Sequence, residues 1–149
     1  MTDPTPGRLI EDDHQIAALL ADVRRIAVLG IKTEGQANQP AFYVADYLVK
    51  AGLEVVPVPV YYPEVTRILG QPVFRKLVDI PGAIDMVDVF RRPQDLHGHL
   101  DDILAKRPRA VWLQLGIRDD RFAHALTGAG IDVVQDRCLM VEHARHARP

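Results

Sequence analysis

Short apolar runs alternate along this chain with segments of helical spacing, and this alternation is the feature that most restricts its fold. Each run is rich in β-branched residues and ends at a glycine, a proline or a polar residue, as buried parallel strands do. The runs cover residues 25–30, 54–58, 84–90, 110–113 and 131–134. Apolar residues three and four apart predict helices over residues 16–23, 40–48, 96–104 and 122–129.

Alternating strands and helices with short connections form a parallel sheet covered on both faces, because right-handed crossovers place helices on either side. We therefore predict an α/β, Rossmann-like, doubly wound fold of three layers, with five parallel strands in the order 3-2-1-4-5. A chain of 149 residues that is 48% hydrophobic and 26% charged suits one domain, residues 1–149. We expect residues 1–8 to be flexible.

The composition of the chain limits the kinds of partner that it can bind. A net charge of -2 and 6% aromatic residues give no general nucleic-acid footprint. No run approaches the ~20 apolar residues that span a bilayer, and the first residues lack the basic and apolar regions of a secretory signal. We expect a cytoplasmic protein that binds neither nucleic acid nor membrane. Cys138 is the single cysteine, so no intramolecular disulfide forms.

The chain leaves the sheet after the second strand. Pro57, Pro59 and Pro63 lack the N–H donor that a central strand needs. Residues 64–82 have an irregular pattern, in which we expect one turn of helix near 75–78.

In such sheets, ligands bind outside the carboxyl ends of the strands, near the point where the strand order reverses. The loop after the first strand leads into a helix that begins at proline, and the free amides and dipole of a helix N-terminus favour a phosphate. The loop is neither G-x-G-x-x-G nor a P-loop, which argues against ATP hydrolysis. Its glycine is equally consistent with a simple tight turn. The predicted contacts are Gly30, Ile31, Lys32, Asn38, Gln39 and Pro40.

The second strand ends in Val58, Pro59 and Val60, followed by two tyrosines. A NAD site is expected to place an acidic residue there to hold the ribose, but the only nearby acid, Glu54, lies at the other end of the strand. The apolar and aromatic end suits an adenine ring, or it simply covers the edge of the sheet.

Two cations follow the third strand, just before a helix that begins with proline, as in a polyanion site. The alternative is a solvated surface pair. An amide and a glycine follow the fourth strand, and the glycine lets a ligand approach the backbone closely. The predicted contacts at these two ends are Phe90, Arg91, Arg92, Pro93, Gln114, Gly116 and Ile117.

The blocks 26–30, 56–58, 87–93, 111–116 and 136–143 together resemble the stand-alone CoA-binding domain family, whose fold is similar to the N-terminal domain of the succinyl-CoA synthetase alpha subunit. The resemblance implies that coenzyme A or an acyl-CoA is the ligand. It also implies that the loop after the first strand carries the diphosphate, that the end of the second strand holds the adenine, and that the third and fourth strand ends guide the pantetheine arm.

The chain departs from the family pattern at two places. Ile31 and Lys32 stand where members usually have a small residue and serine, and Pro59 and Val60 stand where members have Asn-Pro. The lysine adds a charge for phosphate binding, whereas the isoleucine crowds the loop.

No catalytic or metal constellation is predicted. His97 and His99 are two residues apart on a predicted helix and therefore face different directions. Asp85 and Asp88 are expected to cap or solvate the ends of the third strand. Cys138 follows the fifth strand, where we expect it either to approach the CoA thiol and form a mixed disulfide or to be a small buried hydrophobe.

The leading hypothesis is a noncatalytic carrier, sensor or regulatory module for CoA. The rivals are an NAD(P)-dependent oxidoreductase and an accessory CoA-binding subunit of an acyl-CoA synthetase or transferase. A protein partner or a homo-oligomer is compatible with each of them.

Overall fold

The computed structural model describes residues 5–146. The strands are, in chain order, Arg25–Leu29 (β1), Glu54–Val58 (β2), Arg67–Ile68 (β3), Gln71–Pro72 (β4), Met86–Val89 (β5), Ala110–Leu113 (β6) and Asp132–Val134 (β7). Five of them form a parallel sheet in the order β2-β1-β5-β6-β7, and β3 pairs with β4 in an antiparallel hairpin. The helices are Asp13–Asp22 (α1), Pro40–Lys50 (α2), Leu100–Lys106 (α3), Asp120–Gly128 (α4) and Leu139–His146 (α5).

Helices cover both faces of the sheet. Successive strand residues point to opposite faces, so each face has its own core. One core joins residues of α1, α2 and α5, such as Leu48 and Leu139, to Trp112 of β6. The other joins residues of α3 and α4, such as Phe122, to Val111 of β6. The predicted Rossmann-like class with five parallel strands is confirmed.

The position of the third sheet strand differs from the expected order. Counted along the chain, the five strands have the order 2-1-3-4-5, because β5 pairs with β1 and does not lie beyond β2. Pro57 of β2 gives the physical reason. Its carbonyl faces away from β1 and accepts the N–H of Phe74 at 3.0 Å, and a strand at that edge would need the donor that proline lacks. The order therefore reverses between β1 and β5.

The two aspartates of the third sheet strand have different roles. Asp85 caps the strand edge as predicted, since its Oδ2 accepts the N–H groups of Arg24 and Arg25, each at 2.9 Å. The expectation for Asp88 is wrong, because its side chain is fully buried within β5. Neither of its carboxyl oxygens has a hydrogen-bond partner among the described residues. Burial raises the pKa of Asp88 well above its usual value.

Some local structure lies outside the predicted pattern. Helix α5 has no predicted counterpart, because the residues it buries include Glu142, which interrupts the apolar spacing. The irregular segment 64–82 contains the β3–β4 hairpin and a 3-10 turn at Leu77–Asp79. Of residues 1–8, the first four lie outside the described part, while Gly7 donates its N–H to Thr127 at 2.7 Å. None of the helices within residues 5–146 has the length and apolarity needed to cross a bilayer.

Candidate ligand-binding site

A cleft of about 500 Å³ opens at the carboxyl edge of the sheet, where the strand order reverses. Three strand ends and the N-terminus of α2 form its walls, and a residue between β7 and α5 completes it. The cleft brings together many of the predicted site residues: Lys32, Gln39, Pro40, Phe90, Arg91, Arg92, Pro93, Gln114, Gly116, Ile117 and Cys138.

Six predicted residues do not line the cleft: Gly30, Ile31, Asn38, Val58, Pro59 and Val60. The side chain of Ile31 is buried in the core, so it does not crowd the loop surface. Val58 is also fully buried. The cleft adds Ala41, Tyr43 and Leu115, which sequence reasoning missed. The first two follow Pro40 within the first turn of α2, a position that the predicted helix start already implied.

Gly30 follows β1 and lies against the end of the neighbouring strand β5. Its φ is +85°, and its N–H donates to the carbonyl of Val58 at 2.9 Å. A Cβ at this position would lie 2.4 Å from the carbonyl oxygen of Phe90, which is closer than real contacts allow. Only glycine fits here, because the ends of β1 and β5 lie so close together. Gly30 therefore shapes the cleft through the path of its backbone and not through a side chain.

Arg91 is held in place at the cationic side of the cleft. Its side chain is only 13% exposed, and its guanidinium lies 5.5 Å from the ring centroid of Tyr61. Its Nε donates to Nε2 of His99 at 3.2 Å, and Asp95 lies within 3.6 Å. Arg92 is 69% exposed and pairs with the same Asp95 at 2.9 Å. Arg91 is therefore more firmly oriented before a ligand arrives than the more exposed Arg92.

The neutral imidazole of His99 accepts the hydrogen bond from Arg91. Burial, followed by the positive charge of Arg91, lowers the pKa of His99 below its usual value. A neutral imidazole can accept the guanidinium proton, whereas a protonated one cannot. His99 therefore orients Arg91 and does not take part as a charged group at neutral pH.

The other side of the cleft is uncharged. Gln114 is 4% exposed, and its Oε1 accepts the N–H of Leu139 at 3.1 Å. The N–H of Gly116 donates to Asp136 at 2.6 Å, which fixes the turn after β6 to the turn after β7. Cys138 lines the cleft beside these groups and is partly buried.

A separate acidic cluster lies near the start of α1 and along α5. Ligand atoms of Asp13, Glu142 and His146 all lie within 4.8 Å of one another. Arg137 pairs with Glu142 at 2.9 Å, and Arg145 pairs with Asp13 at 3.1 Å. Two guanidinium groups thus already neutralise the carboxylates, as in a structural ion-pair network.

A parallel α/β sheet with a cleft at its switch point defines a protein of the Rossmann-like α/β class. The model of the CoA binding domain family matches residues 24–144, and the chain belongs to this family.

Three similar proteins illustrate how the chain compares with known sequences and structures. An uncharacterized protein of Bacillus subtilis (strain 168), YneT, is 31% identical over 130 residues, which cover 87% of this chain and 93% of that protein. The structure of cell-free ID.343 from Thermus thermophilus has a TM-score of 0.82 and 43% identity, and covers 91% of this chain and 98% of that one. A dinucleotide-forming acetyl-coenzyme A synthetase from Ca. Korarchaeum cryptofilum shares the fold alone, with a TM-score of 0.62 at 16% identity over 73% of this chain and 25% of that one.

Proposed function

We propose that this protein binds coenzyme A or an acyl-CoA in the cleft between β1, β5 and β6, as a noncatalytic carrier, sensor or regulatory module of the cytoplasm. One observation carries the proposal. The cleft has cations on one side, from Lys32, Arg91 and Arg92, and an uncharged side at Gln114 and Cys138. CoA has the same division, with phosphates at one end and an uncharged pantetheine arm at the other.

The geometry of the cationic side suits phosphate groups. The N-terminus of α2 contributes Gln39, Pro40 and Ala41 to the wall, and a helix N-terminus favours negative charge. Arg91 supplies a planar guanidinium that is already oriented, so little side-chain entropy is lost on binding. A cleft of about 500 Å³ is within the usual range of roughly 300–1,000 Å³ for small-molecule sites.

The rival reading, NAD binding, lacks a group to hold the adenosine ribose. The residues at the end of β2 are Val58, Pro59 and Val60, and none of them carries a carboxylate. The lack of a carboxylate at this end therefore argues against NAD as the ligand.

Thermal unfolding with a panel of ligands tests the proposal. CoA, acetyl-CoA, dephospho-CoA, NAD and ATP are compared at equal concentrations, and titration calorimetry gives the dissociation constants. A ligand at 100 times its dissociation constant stabilises the fold by about 2.7 kcal/mol. We expect CoA and acetyl-CoA to raise the Tm the most. A rise with NAD but not with CoA would overturn the proposal.

A matched pair of variants locates the site. Lys32→Ala removes a cation that lines the cleft, whereas Lys50→Ala removes one from the last turn of α2, where it pairs with Asp46 at 2.8 Å. The first variant should weaken CoA binding and the second should leave it unchanged. Equal effects would mean that CoA responds to overall charge and not to this cleft.

A further inference from the structure

The uncharged end of the cleft continues into a second depression, which we call the side groove. It has a volume of about 270 Å³ and lies beside the start of α5. The side groove shares Leu115 and Cys138 with the cleft, and Val141 of α5 forms another part of its wall. The cations that line the other side of the cleft do not reach it. A ligand that fills the cleft can therefore extend into the side groove from its uncharged end.

Two aliphatic side chains of the side groove are unusually exposed. Leu115 is 70% exposed, more than any other large apolar side chain in residues 5–146, and Val141 is 56% exposed. The turn that presents Leu115 is held in place, because the N–H of Gly116 donates to Asp136. Exposed apolar side chains that gather beside a cleft are typical of a surface that a ligand covers.

The charged residues of the side groove already have partners within the protein. They pair as Asp136 with the N–H of Gly116, Arg137 with Glu142, and Arg145 with Asp13. A charged ligand group would have to compete with these pairs, whereas an aliphatic group would simply remove apolar surface from water. The side groove therefore suits an uncharged, aliphatic group.

We propose that the side groove receives the acyl chain of the bound ligand, so that the protein takes an aliphatic acyl-CoA in preference to free CoA. This inference rests on the proposed function. With the phosphates at the cations, the pantetheine arm runs along the uncharged side of the cleft towards Leu115 and Cys138. An acyl chain extends the ligand beyond the sulfur of that arm, and the side groove continues the cleft at the same end.

Titration calorimetry of the full chain with CoA, acetyl-CoA, butyryl-CoA and hexanoyl-CoA tests the inference. Complete burial of one methylene group increases affinity about fourfold, so a groove that is open to solvent should give roughly twofold per methylene. Hexanoyl-CoA has four methylenes more than acetyl-CoA, and we expect it to bind roughly 15-fold more tightly. The heat-capacity change of binding should also become more negative with chain length, as it does when apolar surface is buried.

Leu115→Ser and Val141→Ser locate the acyl chain, and Val49→Ser is the matched control. Val49 is an exposed valine in the last turn of α2, at the opposite end of that helix from the cleft. The readout for each protein is the ratio of the dissociation constants of acetyl-CoA and hexanoyl-CoA, which cancels effects on the part that the two ligands share. The ratio should fall at least about threefold in the two groove variants, because each loses an apolar contact with the chain. It should keep the wild-type value in the control.

Succinyl-CoA has an acyl group as long as that of butyryl-CoA but ends in a carboxylate, so it tests the aliphatic character of the side groove. We expect it to bind more weakly than butyryl-CoA. Tighter binding would mean that the arginines receive a carboxylate, and the inference would be overturned. Equal affinity for acetyl-CoA and hexanoyl-CoA, or a ratio that neither groove variant changes, would also overturn it and leave the proposed function standing. If neither CoA nor any acyl-CoA binds, both are overturned.

Discussion

Gly30 and Phe90 approach each other so closely that an added Cβ on the glycine would lie 2.4 Å from the phenylalanine carbonyl oxygen. The two residues follow β1 and β5, the strands between which the sheet order reverses. In doubly wound sheets this reversal opens the crevice that receives the ligand. The cleft can therefore have this shape only with glycine at position 30, although the atoms of Gly30 do not line it.

Gly30→Ala should destabilise the protein by about 2–4 kcal/mol, because a left-handed conformation and an overpacked contact add together. Gly116→Ala is the matched control. It has the same φ of +85°, but no heavy atom within 4 Å of an added Cβ. Its cost should be about 1–2 kcal/mol, from the conformation alone. Urea unfolding of both variants measures the difference, and equal losses would show that the contact with Phe90 does not matter.

Arg91→Ala should weaken CoA binding more than Arg92→Ala. Arg91 is oriented by His99 and Tyr61 and is mostly buried, whereas Arg92 is 69% exposed and pairs with Asp95. A hydrogen bond to a charged group contributes roughly 1.5–3 kcal/mol, so loss of Arg91 should weaken binding by about 10- to 100-fold. Titration calorimetry measures both variants, with unfolding curves to verify that each is folded. A larger loss for Arg92 would contradict the assigned roles.

The sequence was sufficient to predict five parallel strands and the three strand ends that line the cleft. Glu54–Val58 and Ala110–Leu113 were predicted with the bounds that they have in the structure, because their β-branched runs are bounded by polar or turn residues. Helix α2 was predictable from Pro40 and the apolar residues that follow it. These features depend on local chemistry, which a single sequence contains.

Features that depend on contacts between distant parts of the chain were predicted poorly. The carbonyl of Pro57 faces outward, which makes β2 an edge strand, yet the direction of one backbone group is not readable from residue types. Asp88 looks like a strand-end residue in the sequence because burial of an acid is the rarer outcome. Leu115 was missed because its exposure follows from the turn that Gly116 and Asp136 form together.

His99→Gln should change how stability depends on pH. The pKa of His99 is lowered by burial and by Arg91, so below pH about 6.5 the unfolded chain binds a proton that the folded chain does not. The wild type should therefore lose stability from this group as the pH falls, by well under ~1.4 kcal/mol per pH unit because solvent screens the half-exposed imidazole. Glutamine does not titrate but can still accept from Arg91. Urea unfolding between pH 7.5 and 5.5 should show a flatter curve for the variant, and parallel curves would contradict the prediction.

Asp88→Asn should also change how stability depends on pH, but in the opposite direction to His99→Gln. Burial raises the pKa of Asp88, so above the ordinary aspartate pKa of about 3.9 the unfolded chain releases a proton that the folded chain retains. Stability from this group is therefore present at low pH and is lost as the pH rises towards the raised folded-state pKa, by up to about 1.4 kcal/mol per pH unit. The variant keeps the shape of the side chain and does not titrate. Urea unfolding at increasing pH above about 4 should show the free energy of unfolding of the variant rising relative to that of the wild type. A constant difference across that range would mean that Asp88 is ionised in the folded protein.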